Sequence, residues 1–332
     1  MHIPDGFING ATSLGAGVVA AGGLGAALRQ GGRYLGDRQI PLAGLVAAFV
    51  FALQMLNFPV AAGTSGHLLG GAFASILVGP WMGIVVVAVV VIVQALFFAD
   101  GGVSALGLNV LNMALLTVAV AWPVFRALVR ALPKRAPSVL VASLVAAWAS
   151  VVVSSIGLAL QYALGGVGDV PVGTVFGAMV GVHAVIGIGE GLITATAVGA
   201  VMAARPDLVY GVSDFEIVDT GVTAPGRLAV GSFVVAGLVV AIALVALVAP
   251  NANPNPDGLE RVAEDTGFIE TGADHPIGGP LADYGVSGID SPAVGTALAG
   301  IIGTLVTFGV GYLLVAMFRR RHQPAEPADT GP

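Results

Sequence analysis

The sequence predicts an all-α, polytopic membrane protein with about seven transmembrane helices followed by a two-helix C-terminal module. Of the 332 residues, 56% are hydrophobic and only 10% are charged, against roughly 25% charged residues in ordinary soluble domains. The mean hydropathy is +0.94. The apolar residues form continuous blocks of about 20, the length that crosses a ~30 Å hydrocarbon layer as a helix. A β-barrel would instead show alternating apolar and polar residues.

The apolar blocks predict nine crossings in total. The third block is short, and Gly79-Pro80 forms a turn signal between it and the fourth. The blocks lie at about 8–28, 41–58, 67–79, 84–99, 104–125, 138–163, 173–203, 228–249 and 294–317.

A polar segment after the seventh block predicts a boundary between two units. It contains Pro206, Asp214, Glu216 and Asp219. The loop at about 250–292 is acidic and rich in glycine and proline, so it is expected to be mostly irregular. The predicted units are a transmembrane domain at 1–203, a cytoplasmic linker at 204–226, a two-helix module with an acidic outer loop at 227–320, and a cytoplasmic tail at 321–332.

The start of the chain carries an unusual set of nitrogen donors. The segment M-H-I-P-D-G-F at 1–7 has no basic region and no short apolar core, so we expect no signal peptide and a free amine on Met1. This amine, the His2 amide nitrogen and His2 Nδ1 can close a five-membered and a six-membered chelate ring around one ion. A fourth nitrogen would complete a square plane, the geometry of Ni(II) and Cu(II) that is also accessible to Co(II).

His67 is the candidate for the fourth nitrogen. It lies in T-S-G-H, where small residues allow the backbone to bend, and the chain has no cysteine that could supply a thiolate. Taken singly, His2 could be a solvated terminal residue and His67 a hydrogen-bonding histidine near a helix start. The placement of both on one predicted face, with Pro4 stiffening the next turn, favours the ligand interpretation.

Polar residues between positions 54 and 112 could orient this site, as a metal site generally requires. Each could equally form hydrogen bonds between helices, because buried amides need partners in lipid. Asp100 could also offset part of a cation's charge or end a helix. The candidates are Asn57, Ser65, Gln94, Asp100, Asn109 and Asn112.

His183 and Glu190 are seven residues apart and share one face of the seventh apolar helix. Ionisable residues at membrane depth are candidates for function. A rise of ~1.5 Å per residue predicts depths of roughly 15 and 25 Å, too deep to join Met1. They could pair structurally or take part in coupling or proton movement.

Lys134 is the only lysine and is followed by Arg135 and Ala136, so the chain has no phosphate-binding G-K-[ST] motif. The chain is therefore not expected to be an enzyme that hydrolyses nucleotides through that motif. If transport is driven by ATP, another subunit must supply the energy.

The motifs resemble those of the CbiM/NikM cobalt and nickel subunits of energy-coupling factor transporters. The similar segments are M-H-I-P-D-G-F at 1–7, Q-M-L-N-F-P-V through G-T-S-G-H-L-L-G-G at 54–71, Q-A-L-F-F-A-D-G-G at 94–102, G-L-N-V-L-N-M at 107–113 and H-A-V-I-G-I-G-E-G at 183–191. The tail, with N-P-D-G-L-E at 255–260, resembles the small companion subunit CbiN/NikN, here fused in one chain. P-V-A-A-G-T at 59–64 lacks the second proline of the family pattern.

The resemblance implies that Met1, His2 and His67 bind Ni²⁺ or Co²⁺ as transported substrate. It also implies partners: ATP-binding ATPase subunits, a transmembrane coupling subunit and the lipid bilayer of the cell membrane. No nucleic-acid partner is expected. The sequence does not choose between nickel and cobalt, since both accept nitrogen ligands.

Two other classes of function remain open at this point. One is a secondary carrier, driven by an ion gradient, that uses Asp100, His183 and Glu190. The other is a metal sensor that does not transport and signals through the 204–226 linker.

The basic residues predict the orientation of the chain. Lys and Arg accumulate on the cytoplasmic side, and an outside N-terminus with nine crossings places every one of the 13 basic residues except Arg261 inside. The residues placed inside are Arg29, Arg33, Arg38, Arg126, Arg130, Lys134, Arg135, Arg205, Arg227, Arg319, Arg320 and Arg321. Reporter fusions after residue 332 should therefore be active in the cytoplasm, and an external C-terminus would overturn this topology.

Overall fold

The computed structural model of the protein describes residues 1–32, 38–214 and 229–322. Arg33, Arg227, most of the predicted linker (215–226) and most of the predicted tail (323–332) lie outside these ranges. Within them the chain is a bundle of α-helices with one two-stranded ribbon, β1 (Phe58–Pro59) paired antiparallel with β2 (Ser65–Gly66). The predicted all-α membrane class is confirmed.

Ten helices follow one another along the described chain. They are α1 (Gly10–Gly31), α2 (Gln39–Gln54), α3 (Gly71–Val78), α4 (Pro80–Phe98), α5 (Leu106–Ala131), α6 (Ala136–Gly165), α7 (Val172–Ala204), α8 (Val230–Asn251), α9 (Gly258–Thr266) and α10 (Pro292–His322).

Seven of the described helices are long and apolar enough to cross a membrane: α1, α4, α5, α6, α7, α8 and α10. The 16-residue α2 is shorter and almost completely buried by its neighbours. The block at 67–79 was expected to be a crossing helix, but only the eight residues of α3 are helical. Eight residues extend about 12 Å as a helix, so α3 alone is too short to cross a ~30 Å hydrocarbon layer.

Contacts between neighbours define the two ends of the bundle. At one end, Ile8 pairs with Gly166, which joins the start of α1 to the end of α6. At the other, Gly31 packs against Met82 and Gly79 packs against Tyr210. The first end contains the N-terminal segment and is called the site end here.

The valine-rich run of α4 is helical although β-branched residues favour strands. All but a few of its side chains are buried. A helix satisfies its own backbone hydrogen bonds, whereas an isolated strand in hydrocarbon cannot. The apolar surroundings therefore override the local preference of valine.

The C-terminal module packs against α2 through glycines. Gly237 of α8 lies against Leu45, Gly300 of α10 lies against Met55, and Gly303 of α10 lies against the rings of Phe51 and Phe98. Small residues let transmembrane helices approach closely and gain van der Waals contact. The module is consequently part of the bundle, and α2 becomes an internal helix.

The loop between α8 and α10 is mostly irregular, as its composition predicted, but it includes short helical elements. It contains the nine-residue helix α9 and two short 3₁₀ turns, Ile269–Thr271 and Ala282–Tyr284. Phe268 packs against Phe7 and Tyr162, with ring centroids 5.1 Å apart in both pairs. The loop therefore covers the site end of the bundle.

The packing of α10 gives a test of this arrangement. An added Cβ at Gly303 would overlap the Phe51 ring and lie 2.6 Å from Phe98 Cζ, whereas nothing lies within 4 Å of one at Gly309. Gly303→Ala should therefore destabilise the protein by about 1–3 kcal/mol through overpacking. Gly309→Ala, the same change on the same helix, should leave the melting temperature in detergent unchanged or slightly higher. Equal melting temperatures for the two variants would contradict the packing.

Candidate metal site

The first residues of the chain are buried in the site end. Met1 is 2% exposed and Ile3 is 1% exposed. Asn109 of α5 binds both sides of the Ile3 backbone: its Oδ1 accepts from the Ile3 N–H at 2.7 Å, and its Nδ2 donates to the Ile3 carbonyl at 3.0 Å. The N–H of Gly102 donates to the same carbonyl at 2.9 Å. Both polar groups of the Ile3 backbone are thus hydrogen-bonded, which fixes the position of the N-terminal segment.

Asp5 holds the next turn of this segment. Its carboxylate accepts hydrogen bonds from the Val103 N–H at 3.1 Å, the Ser104 N–H at 2.7 Å and the Ser104 hydroxyl at 2.5 Å. Gly6 follows with φ +90°, a backbone conformation that favours glycine. The sequence analysis did not single out Asp5, although an Asp-Gly pair is a turn signal.

His67 lies next to the terminal amine. Its Nε2 is 2.7 Å from the Met1 nitrogen, and its Nδ1 is 3.0 Å from the Leu68 carbonyl oxygen. Because a carbonyl can only accept, Nδ1 carries the hydrogen and Nε2 presents its lone pair. A hydrogen bond from the ring nitrogen that does not bind the metal fixes the tautomer and orientation of metal-binding histidines.

His2 lies between two groups that the sequence analysis proposed as orienting residues. Its Nε2 is 3.2 Å from Gln94 Oε1, and its Nδ1 is 3.0 Å from Asp100 Oδ1. Both ring nitrogens face oxygen acceptors, and a neutral imidazole can donate to only one of them. If the hydrogen is on Nε2 and is donated to Gln94, Nδ1 is unprotonated and could bind an ion in place of its contact with Asp100. The His2 and His67 rings are nearly parallel, with centroids 5.3 Å apart. Burial lowers the pKa of His2 to about 4, so the ring is neutral at physiological pH.

Tyr284 of the C-terminal module completes the network around His2. Gln94 Nε2 donates to the Tyr284 hydroxyl at 3.2 Å, and this hydroxyl donates to Asp100 Oδ2 at 2.5 Å. Burial, reinforced by the charge of Asp100, raises the pKa of Tyr284 well above its usual value. The donated hydrogen therefore stays on the tyrosine.

The distance between the Met1 amine and His67 Nε2 fits two ligands of one ion. Metal–nitrogen bonds of about 2.0 Å place two adjacent ligands of a square plane about 2.8 Å apart, and the amine and His67 Nε2 are 2.7 Å apart. Within the described ranges, no group of three or more His, Asp or Glu side chains is arranged to hold a metal ion by itself. An ion at this place would consequently need the backbone nitrogens of Met1 and His2.

The other predicted orienting residues have different roles. The Ser65 hydroxyl donates to the Asn255 carbonyl at 2.8 Å and so holds the module loop. Asn57 accepts from the Asn253 N–H through its backbone carbonyl at 2.9 Å. Asn112 exchanges two hydrogen bonds with Gln161, at 2.8 and 2.9 Å, which join α5 to α6. Asn112 thus stabilises the bundle, as the alternative interpretation had it.

The expectation that His183 and Glu190 are too deep to reach the site was wrong for His183. It lines a small pocket at the amine, together with Met1, Gly66, His67, Leu69, Val151, Ile186, Asp257 and Gly258. The depth estimate placed Met1 at the outer surface, whereas the N-terminal segment enters the bundle. The Nδ1 of His183 donates to the Met179 carbonyl at 2.8 Å.

Glu190 holds the backbone that carries His67. It is fully buried, and its carboxylate accepts from the Leu69 N–H at 2.7 Å and the Gly70 N–H at 3.2 Å. Hydrogen bonds from two backbone N–H groups explain how a carboxylate can be buried in the middle of an apolar helix. Glu190 therefore positions the segment at 67–70.

Asp257 is the main residue that sequence reasoning missed. Its Oδ2 forms an ion pair with the Met1 amine and lies 3.4 Å from His67 Nε2. It belongs to N-P-D-G-L-E, which the sequence analysis noted only as a resemblance. Burial opposes ionisation, but the charge of the amine and the contact with His67 outweigh it and hold the pKa of Asp257 well below its usual range.

The clamp by Asn109 generates a prediction about the site. Asn109→Leu removes both hydrogen bonds to Ile3 and should weaken nickel binding about tenfold or more, the usual cost of losing an orienting contact. Asn253→Leu, the same substitution in the module loop, leaves the N-terminal segment bound to Asn109. Its nickel affinity by isothermal titration should stay closer to that of the wild type. An unchanged affinity for Asn109→Leu would show that the segment needs no clamp.

Two family models match most of the chain. The model of the family CbiM, described as the cobalt uptake substrate-specific transmembrane region, matches residues 2–208, and the PDGLE domain matches residues 231–320. A relative from Archaeoglobus fulgidus, provisionally named a fused nickel transport protein NikMN, is 36% identical over 96% of this chain and 99% of its own length. The cobalt transport protein CbiM of Geobacter sulfurreducens is 37% identical over 54% of this chain and 52% of its own.

A crystal structure of a truncated transition-metal transporter is also similar to this chain. Its TM-score is 0.53 at 28% identity, covering 61% of this chain and 98% of that one. The family matches together account for the N-terminal bundle and for the α8–α10 module. This chain belongs to the CbiM family of multi-pass membrane proteins and carries a PDGLE domain fused at its C-terminal side.

Proposed function

We propose that this chain is the substrate-capturing membrane subunit of an ATP-driven energy-coupling factor transporter that takes up nickel or cobalt ions. The observation that carries the proposal is the position of His67 Nε2, 2.7 Å from the terminal amine in a buried pocket. The Met1 amine, the His2 amide nitrogen, His2 Nδ1 and His67 Nε2 form the proposed square plane.

The donor set favours these ions on chemical grounds. The chain offers no thiolate, and four nitrogens in a plane suit Ni(II) and are accessible to Co(II). One relative is named for nickel transport and another for cobalt transport. The transported ion is therefore proposed as Ni²⁺ or Co²⁺.

The energy for uptake must come from partners. The chain lacks a G-K-[ST] motif, so we assign ATP hydrolysis to separate ATPase subunits and propose that a transmembrane coupling subunit links them to this chain. In this scheme residues 1–203 hold the ion, 204–226 form a cytoplasmic linker, 227–320 form the two-helix module and 321–332 form a cytoplasmic tail.

The site is proposed to open on the outer face of the cell membrane. The distribution of Lys and Arg supports an outside N-terminus and a cytoplasmic C-terminus. Arg126, at the other end of α5 from Asn109, binds the Gly211 carbonyl at 2.8 Å and Asp214 at 2.7 Å. Its position far from the site end agrees with this orientation.

The contacts of the acidic and histidine residues give little support to a carrier driven by an ion gradient. Asp100 lies next to His2 and accepts a hydrogen bond from Tyr284, His183 donates to a carbonyl of its own helix, and Glu190 accepts from two backbone N–H groups. Each group is engaged locally, and the three do not form a continuous relay. A transporter that receives its energy from partner subunits needs no such relay.

The proposal predicts that a free terminal amine is required for binding. A short extension before Met1 converts the amine to an amide, which is a poor donor and displaces the chelate ring. Nickel affinity should therefore fall at least about tenfold in the extended protein and in His2→Ala and His67→Ala. Binding should also weaken in acid, because protons compete for the amine, the imidazoles and the His2 amide nitrogen.

Isothermal titration with nickel and cobalt tests this requirement. The same extension placed after Pro332 is the matched control and should leave the affinity unchanged. Unchanged binding in a protein with an intact N-terminal extension would exclude the amine as a ligand. Unchanged binding in His67→Ala would exclude the proposed site altogether.

A further inference from the structure

One carboxylate oxygen of the C-terminal module is aimed at the proposed nitrogen plane. Asp257 directly precedes α9, and its Oδ2 contacts the Met1 amine and lies 3.4 Å from His67 Nε2. Its side chain is 15% exposed. The two nitrogens that this oxygen contacts belong to different segments of the metal-binding domain, the N-terminal segment and the segment that carries His67.

The cap of α9 fixes the orientation of this carboxylate. Asp257 Oδ1 accepts from the Leu259 N–H at 2.7 Å and the Glu260 N–H at 2.9 Å, while Glu260 Oε2 accepts from the Asp257 N–H at 3.0 Å. This reciprocal pair is a capping box. Since Oδ1 is occupied by the cap, Oδ2 is directed at the site without a further conformational choice.

The residues on either side of Asp257 are also held against the metal-binding domain. The Ser65 N–H donates to the Pro256 carbonyl at 2.8 Å. Gly258 packs so closely on α7 that an added Cβ would lie 2.9 Å from His183 Cε1. The carboxylate is therefore delivered to a defined position between the segment that carries His67 and the helix that carries His183.

We propose that Asp257 Oδ2 is a direct oxygen ligand of the captured ion, at the apex above the plane of four nitrogens. This inference rests on the proposed function. Metal–nitrogen and metal–oxygen bonds of about 2.0–2.2 Å place an apical oxygen about 3 Å from each nitrogen. The 3.4 Å between Oδ2 and His67 Nε2 is close to this value, whereas the shorter contact between Oδ2 and the Met1 amine is an ion pair that must lengthen when the amine gives up its proton to bind the ion.

The charge balance of the site also favours a carboxylate ligand. A divalent ion bound by the deprotonated His2 amide retains one positive charge, because the amine and both imidazoles are neutral donors. The Asp257 carboxylate, like that of Asp100 beside His2 Nδ1, places negative charge next to the ion. An uncompensated charge is costly away from water, so these carboxylates favour retention of the ion in a buried site.

The test uses the full chain with its native N-terminus, loaded with Ni²⁺ or Co²⁺ alone. Asp257→Asn keeps the shape and the helix cap but removes the charge, and Asp257→Ser keeps a capping hydroxyl but cannot reach the ion. The control is Asp265→Asn, the same change of charge at an exposed residue of α9 that pairs with Arg261. Melting temperatures establish that all three variants are folded.

Two measurements report on the coordination. X-ray absorption of the nickel-loaded protein should show five ligands in the wild type and in Asp265→Asn. Asp257→Ser should lose one oxygen and show the signature of a four-coordinate plane. Isothermal titration should give a loss of affinity of about tenfold or more for both Asp257 variants and no change for the control.

The outcomes separate this assignment from the proposed function. Wild-type affinity and five-coordinate spectra in both Asp257 variants would overturn the assignment, provided that His67→Ala still abolishes binding. A four-coordinate wild-type spectrum would also overturn it and limit Asp257 to pairing with the amine in the protein without metal. If His67→Ala binds as the wild type does, the proposed function itself fails.

Discussion

A buried ammonium group constrains the architecture of the site end. The Met1 amine lies between His67 and Asp257, and Met1 is 2% exposed. A charge in such a place is tolerated only when polar partners surround it. The partners come from three distant parts of the chain: the N-terminal segment, the extended segment before α3 and the loop of the C-terminal module. These three segments can meet at the amine only if the helices that carry them have the relative positions seen in the bundle.

Each of these three segments is secured by hydrogen bonds from a different helix. Asn109 of α5 holds Ile3, Glu190 of α7 holds Leu69 and Gly70, and the capping box of α9 holds Asp257. The polar groups buried in the bundle are therefore largely used to position backbone. In an apolar bundle, where side-chain packing alone leaves irregular segments free to shift, such hydrogen bonds give the site one defined geometry.

The helical class and most helix positions could be predicted because hydropathy reports directly on burial in a membrane. Met1, His2 and His67 could be proposed together because their donor chemistry is specific, and Gln94 and Asn109 followed from the cost of burying an amide. The non-helical path at 67–70 could not be predicted, since apolar composition does not distinguish a short helix after an extended segment from a full crossing. His183 was misplaced because the depth of the N-terminal segment is a tertiary property.

The contact of Asp257 with the Met1 amine could not be predicted from the sequence for a related reason. It is 256 residues from Met1 in sequence, and an acidic residue in a polar loop has no feature that identifies its partner. Only the Gly258 that follows gives a hint, because its missing side chain allows the loop to lie directly on α7. The need for glycine at this position can be recognised only when the surfaces of the loop and of α7 are both known.

The fusion of the PDGLE domain to the transmembrane domain changes the concentration dependence of site closure. Joining two interacting units by a short connection turns their association into an intramolecular step, with an effective concentration that reaches the millimolar range. The contacts of the loop with the N-terminal segment can therefore be individually weak and still keep the site covered most of the time. Weak contacts also break quickly. Covalent attachment thus keeps the loop at the site end without any dependence on the concentration of a separate PDGLE-domain chain.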